Sequence, residues 1–341
     1  MKIQSAIGAG IAGILLIGLA VTLLGGVDDN DGKVRIAFFP NIGHAIPIVG
    51  LDQEFFSHDG ITVEPRVFDS GPQAVESLFA NSIDLAYVGP GPAVNGFLKS
   101  KSDVLILSGA ASGGSSFIVQ ADSGIETAAD LHGKVVAAPQ IANTQDVSMR
   151  TWLADNGLKT AHHGGTVLTL NVANPEIYTL FKKGDIDAAW VPEPWATMMV
   201  KELDGKRLFF EEDLWPEKKF ASVLLVARAD FVAEHPDLVK QWLADHSKTV
   251  QWINENPNDA KIIFNDFMKT EFRTTFSEGV VDESFSNIMI TSDPIPSSIE
   301  TFAARADSLG YLGRQGYSLD GIFYDVQDVN AQNLEDESWQ S

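Results

Sequence analysis

Three helix starts in the 341-residue chain carry the residue types that hold a small anion. Ser70-Gly71-Pro72, Gly89-Pro90-Gly91-Pro92 and Asn143-Thr144-Gln145 each place hydroxyl, amide or glycine residues where a helix pattern begins. Backbone N–H groups at such a start lack an intrahelical acceptor and lie at the positive end of the helix dipole, so they attract an oxyanion. Neutral Ser, Thr, Asn and Gln side chains add donors of their own. We expect the helix starts near Ser70, Pro92 and Asn143 to take the charged head, with Thr144 and Gln145 as side-chain donors. His44, in the loop Pro40-Asn41-Ile42-Gly43-His44, is a further donor or else polar surface. Trp195 offers a ring to an alkyl part of the ligand, or fills core.

Catalytic chemistry is poorly served. There is no G-x-S-x-G elbow, no phosphate loop G-x-x-x-x-G-K, no G-x-G-x-x-G after a strand, and no cysteine. The absence of cysteine removes disulfides, thiolates, Cys-ligated zinc and a lipidated anchor together. The adjacent His162 and His163 point apart and have no second ligand pair nearby, so no metal or other cofactor is expected. Asp84 and Asp187 precede strands, at the end away from the loops, which suits capping better than a carboxylate pair. A net charge of −22 with no basic patch excludes nucleic acid. That charge does not forbid an anion, because screening over about 8 Å at physiological salt hides the outer surface from a closed cleft.

These loops need elements to hold them, and the chain supplies one unit twice. Pro72–Ala80 and Pro175–Lys183 read as helices, each followed by a polar turn with Ile-Asp, a buried strand ending in aromatic-Val, and a Pro-rich break. The strands are Leu85–Val88 and Ala188–Val191. Ligands in such α/β units sit beyond the carboxyl ends of the strands, so the loops after Val88 and Val191 should face each other across a cleft. Further strands are expected at Val34–Phe39, Ile61–Val67, Val104–Leu107, Phe117–Val119, Val135–Ala138, Val167–Leu170 and Val223–Val226. Ser70 or Gly71 caps one helix, Asn143 or Thr144 another, with Asp146 in the favourable first turn. Asn174-Pro175-Glu176 caps the helix that Gly184 closes. Helices opening at Pro236 and Pro257 complete the first lobe.

The ends differ in kind. Ala6–Val27 is uncharged and long enough to cross about 30 Å of hydrocarbon. Residues 1–27 are read as an uncleaved membrane anchor, with a cleaved signal as the alternative. The lobes are then 33–112 with 224–313, and 113–223, joined at the small-residue stretch Gly109–Ser116 and at Val223; residues 314–341 form an acidic tail.

The chain resembles the substrate-binding proteins of ABC importers in the nitrate, sulfonate and taurine group, most of all aliphatic-sulfonate binders. The resemblance spans about 33–313 and rests on Asn143-Thr144-Gln145-Asp146-Val147 with Arg150-Thr151-Trp152-Leu153, on Asp187 to Trp195, and on Leu214-Trp215-Pro216. It implies an α/β, two-lobed periplasmic-binding-protein-like type II fold whose hinge has two crossing segments. It further implies a small oxyanion ligand, a permease with its ATPase as partners, and a monomer on the extracytoplasmic face of the membrane. By this resemblance the ligand residues are Asn41, Gly43, His44, Ser70, Gly71, Gly91, Pro92, Ser112, Gly113, Asn143, Thr144, Gln145, Glu193 and Trp195. Nitrate, bicarbonate and thiamine pyrimidine precursors are alternative ligands. A pyrimidine-synthase-like enzyme on the same fold would need a cysteine-rich motif, and a regulatory effector domain a DNA-binding helix pair. Pro139-Gln140-Ile141-Ala142 lacks the glycine often found before Thr-Gln.

Overall fold

The computed structural model describes residues 32–100, 103–313 and 316–325. The Ala6–Val27 segment and the acidic run Glu335–Ser338 lie outside them. Among the described residues no helix is long and apolar enough to cross a membrane.

The chain runs β1 (Lys33–Phe38), α1 (Ala45–Asp52), β2 (Thr62–Val67), α2 (Gly71–Phe79), β3 (Leu85–Val88), α3 (Pro90–Lys99) and β4 (Val104–Gly113). Then come β5 (Ser115–Val119), β6 (Val135–Ala138), α4 (Thr144–Asp155), β7 (Leu168–Asn171), α5 (Asn174–Lys183), β8 (Ala188–Pro192), α6 (Trp195–Glu202) and β9 (Lys206–Phe210). It ends with β10 (Ala221–Arg228), α7 (Ala229–Glu234), α8 (Pro236–Glu255), α9 (Pro257–Phe272), α10 (Glu278–Ser286), β11 (Ile288–Ile290) and α11 (Pro296–Ser308).

Two sheets result. One has six strands in the order β11-β4-β10-β3-β1-β2, the other five in the order β7-β6-β8-β5-β9. Their plans match: β1 lies parallel between β2 and β3 as β6 does between β7 and β8, and β10 runs antiparallel beside β3 as β5 does beside β8. Central strands read as unbroken apolar runs because helices cover both faces, as in β3 (LAYV) and the Val223–Ala227 stretch of β10, every residue of which is buried. The chain leaves the first sheet after Gly113, enters the second at Ser115, and returns between Phe210 and Ala221.

Two expectations change here. The strand expected at Val104–Leu107 runs on through the small-residue stretch Gly109–Ser116 where a crossing is expected: β4 pairs with β10 as far as Ser112, and β5 starts at Ser115. The small residues answer to crowding, since a Cβ on Gly109 would collide with the carbonyl of Asp293. Residues 316–325 are no free tail, because Ile322 is buried and its carbonyl accepts from Ile106 N at 2.8 Å, with Tyr324 N returning a bond to Ile106 O at 2.9 Å.

Candidate ligand-binding site

A cavity of about 90 Å³ lies between the two sheets, walled by the loops that follow their strands. From the first side come Phe39, Asn41, Gly43, His44, Ser70, Gly89 and Ser222, and from the second Ser115, Gln140, Asn143, Thr144, Gln145, Asn174, Glu193 and Trp195. Gly113 lies at the back, where the chain crosses.

Local chemistry shapes each contribution. Asn41 starts a 3-10 turn, Ile42–His44, and its side-chain oxygen accepts from Gly43 N at 3.0 Å. That turn buries His44 against the Phe39 ring, with centroids 4.5 Å apart. Burial pushes the His44 imidazole down to about 3, so at neutral pH it is an uncharged donor or acceptor rather than a cation. Ser70 precedes α2 with an extended backbone and makes no side-chain cap bond, leaving its hydroxyl uncommitted to the helix. Asn143 is the N-cap of α4, its side-chain oxygen accepting from Thr144 N at 2.8 Å. Gln145 donates to Ser115 Oγ at 3.2 Å. Trp195, half-buried, opens α6 and stacks obliquely near Tyr178, so it serves both core and wall.

Four residues named from the sequence do not reach the wall. Gly71 and Pro92 pack on each other, and a Cβ on Gly71 would strike the Pro92 ring. Gly91 faces the Ala142 carbonyl across the two bodies, and Ser112 Oγ accepts from Phe220 N at 3.4 Å. Gly89, which does line the cavity, has no room for a side chain because Thr144 Oγ1 stands where its Cβ would go.

Five buried polar atoms on this one wall have no hydrogen-bond partner among the described residues: His44 Nδ1, Gln140 Oε1, Thr144 Oγ1, Asn174 Oδ1 and Ser222 Oγ. A buried polar atom left unpaired costs about 1–3 kcal/mol, so five of them on residues that line a single cavity mark it as a place where a guest can supply partners. Among the described residues no lysine or arginine lines the cavity. The sequence reading missed Gln140, Asn174 and Ser222 as wall residues. The cap expected at Asn174 lies one residue earlier: Ala173 holds the N-cap position and Asn174 is the first helical residue, which frees its amide.

Two carboxylates brace the second side. Asp146 is fully buried and accepts from Ala142 N at 3.0 Å, Arg150 Nε at 2.7 Å, Asn171 Nδ2 at 2.9 Å and Tyr311 OH at 2.7 Å. The first of these bonds holds Ala142 at φ +62°, a left-handed conformation costly for any residue with a Cβ. Here the missing glycine matters. Glu193, also buried, accepts from Thr197 N and Oγ1, Arg207 Nη2, Ser284 Oγ and Asn287 Nδ2, all at 2.8–3.2 Å. It meets the cavity with its lone pairs already engaged.

The profile of the NMT1-like family matches residues 28–264, well over half the chain. The chain belongs to the NMT1-like family. This NMT1-like protein is 29% identical over 212 residues to the taurine-binding periplasmic protein of Escherichia coli (strain K12), covering 62% of this chain and 63% of that one. Its fold superposes on the alkanesulfonate-binding protein SsuA from Xanthomonas axonopodis pv. citri bound to MOPS, with a TM-score of 0.70 at 17% identity over 83% of this chain and 95% of that one. The periplasmic nitrate-binding protein NrtA from Synechocystis PCC 6803 gives a TM-score of 0.72 at 19% identity, covering 91% and 89%. The fold is thus the two-lobed α/β type II architecture that the sequence resemblance implies.

Proposed function

We propose that this protein is the extracytoplasmic substrate-binding component of an ABC importer, holding a small oxyanion between its two lobes and passing it to a permease driven by an ATPase. The observation that carries the reading is that five residues with buried, unpartnered polar atoms line one cavity at the start of α4 that has no lysine or arginine among its described lining residues. Neutral donors and a helix start suffice for a singly charged head. An aliphatic sulfonate or taurine is favoured. Within that class the buried amide carbonyls of Gln140 and Asn174 favour taurine, because they are acceptors that its ammonium group satisfies and that neither nitrate nor a plain alkanesulfonate does. Similarity to the taurine-binding and alkanesulfonate-binding proteins supports the same choice.

In this reading residues 33–112 and 224–313 form one lobe and 113–223 the other, closing about the two crossing segments. The ligand contacts are Asn41, Gly43, His44, Ser70, Asn143, Thr144, Gln145 and Trp195. Residues 1–27 anchor a monomer to the membrane, and no reaction is catalysed. A thermal-shift screen of the soluble part against taurine, alkanesulfonates, nitrate, bicarbonate and pyrimidines tests the ligand class. A true ligand at a hundred times its Kd should stabilise by about 2.7 kcal/mol. If no oxyanion shifts the melting temperature, the proposal falls.

A further inference from the structure

Asp146 and Glu193 both belong to the chain between the two crossings, and each also receives donors from outside it. Tyr311, just after α11, donates to Asp146 Oδ2 at 2.7 Å. The same oxygen accepts from Ala142 N, while Arg150 and Asn171 occupy Oδ1. Ser284 and Asn287, in and just after α10, donate to Glu193 at 3.2 and 2.8 Å. α10 leads directly into β11 of the six-stranded sheet and also packs on α6, where Glu283 pairs with Lys201 and Arg207, while α11 packs on α3 beside that sheet and on α4 across from it.

We propose that Asp146 and Glu193 form a two-point clamp, closed by Tyr311 at one and by Ser284 and Asn287 at the other. They act as positioning residues rather than ligand contacts, and the inference rests on the reading of the cavity as the ligand site. Each carboxylate stands beside a different part of the wall. Asp146 fixes Ala142, two residues before Thr144, and Glu193 fixes Thr197 in the first turn of the helix that Trp195 opens. Donors crossing from the other body tie both parts of the wall to the closed arrangement. Separating the bodies strips each buried carboxylate of donors that only water can replace. Contacts made only in the closed state slow ligand escape and leave encounter with the open state unchanged.

The test uses Tyr311→Phe and the pair Ser284→Ala/Asn287→Ala, read by stopped-flow binding of the best ligand from the thermal-shift screen. Each should raise koff by about three- to thirtyfold with kon within about twofold, whereas a merely structural loss lowers the melting temperature without separating the two rates. A second readout needs no ligand. Because the chain has no cysteine, spin labels at Glu76→Cys and Lys182→Cys, both on exposed helix faces, report the distance between bodies while polyethylene glycol drives compaction. The closed fraction at matched osmolyte should fall several-fold in the combined clamp variants. Equal closed fractions, or an unchanged koff, overturn the clamp. If no oxyanion binds the wild type, the ligand reading fails and the label distances still decide the clamp.

Discussion

Asp84 and Asp187 occupy the same place in their two sheets and make the same pair of backbone bonds. Asp84 N donates to Arg35 O at 2.8 Å while its carboxylate accepts from Arg35 N at 2.8 Å, latching β3 to β1. Asp187 N donates to Val135 O at 2.9 Å and its carboxylate accepts from Val135 N at 2.8 Å, latching β8 to β6. The repeated Ile-Asp therefore caps an N–H of the neighbouring strand, that of Arg35 within β1 and that of Val135 at the start of β6. What differs is the cation. Arg35 grips Asp84 through Nε and Nη2 at 3.0 and 2.7 Å with Arg228 beside it, and Asp84 is fully buried. Lys134 makes a single contact at 3.0 Å, and the Asp187 side chain is 30% exposed. One latch has become part of the core; the other keeps water as a substitute partner.

The largest effect expected from that contrast is at the first latch. Asp84→Ala leaves two guanidinium groups and a strand N–H without their acceptor, so denaturant unfolding should show a loss of about 3–5 kcal/mol. Next comes Glu211, where the chain heads back from the second sheet to the first. Burial pushes its carboxyl up to about 7, with hydrogen bonds from Ser148 and Trp190 pulling the other way. Between about pH 4.5 and 7 the folded protein keeps a proton that the unfolded chain has lost. Glu211 therefore supports the fold most at the acid end of that window, and less as pH rises through it. Glu211→Gln has no such slope, so its stability relative to wild type should climb across the window by at most about 3 kcal/mol, followed by thermal melts at each pH. Asp187→Ala should cost less, about 1–2 kcal/mol, because solvent can replace the lysine contact. A loss as large as that of Asp84→Ala would show that exposure does not separate the two latches. Smallest is Ala142→Gly, which relieves the left-handed strain in the second body and should stabilise by about 1 kcal/mol in the same assay.

The comparison also shows why parts of the molecule were legible in the sequence. Leu85–Val88 and Val135–Ala138 are strands over just the residues expected, because a buried parallel strand must be an unbroken apolar run. The α4 start was equally plain, Asn143 being one of the two caps considered. Gly109–Gly113 misled because its small residues answer to Asp293, some 180 positions away. Glu193 was named a ligand residue, and no local pattern could show that Ser284 and Asn287 would occupy its lone pairs. The wall roles of Gln140 and Ser222 were hidden for the same reason, since only the folded chain brings them to one cavity.

The central claim is that neutral donors at the start of α4 hold the ligand's charged head. Isothermal calorimetry on Thr144→Val, with taurine or whichever oxyanion stabilises the wild type best, tests it most directly. Thr144 is buried with an unpartnered hydroxyl, and valine keeps its shape while removing the donor. A hydrogen bond to a charged group is worth about 1.5–3 kcal/mol, so Kd should rise by about tenfold to a hundredfold with the melting temperature of the ligand-free protein preserved. An unchanged Kd in a folded Thr144→Val would contradict the account.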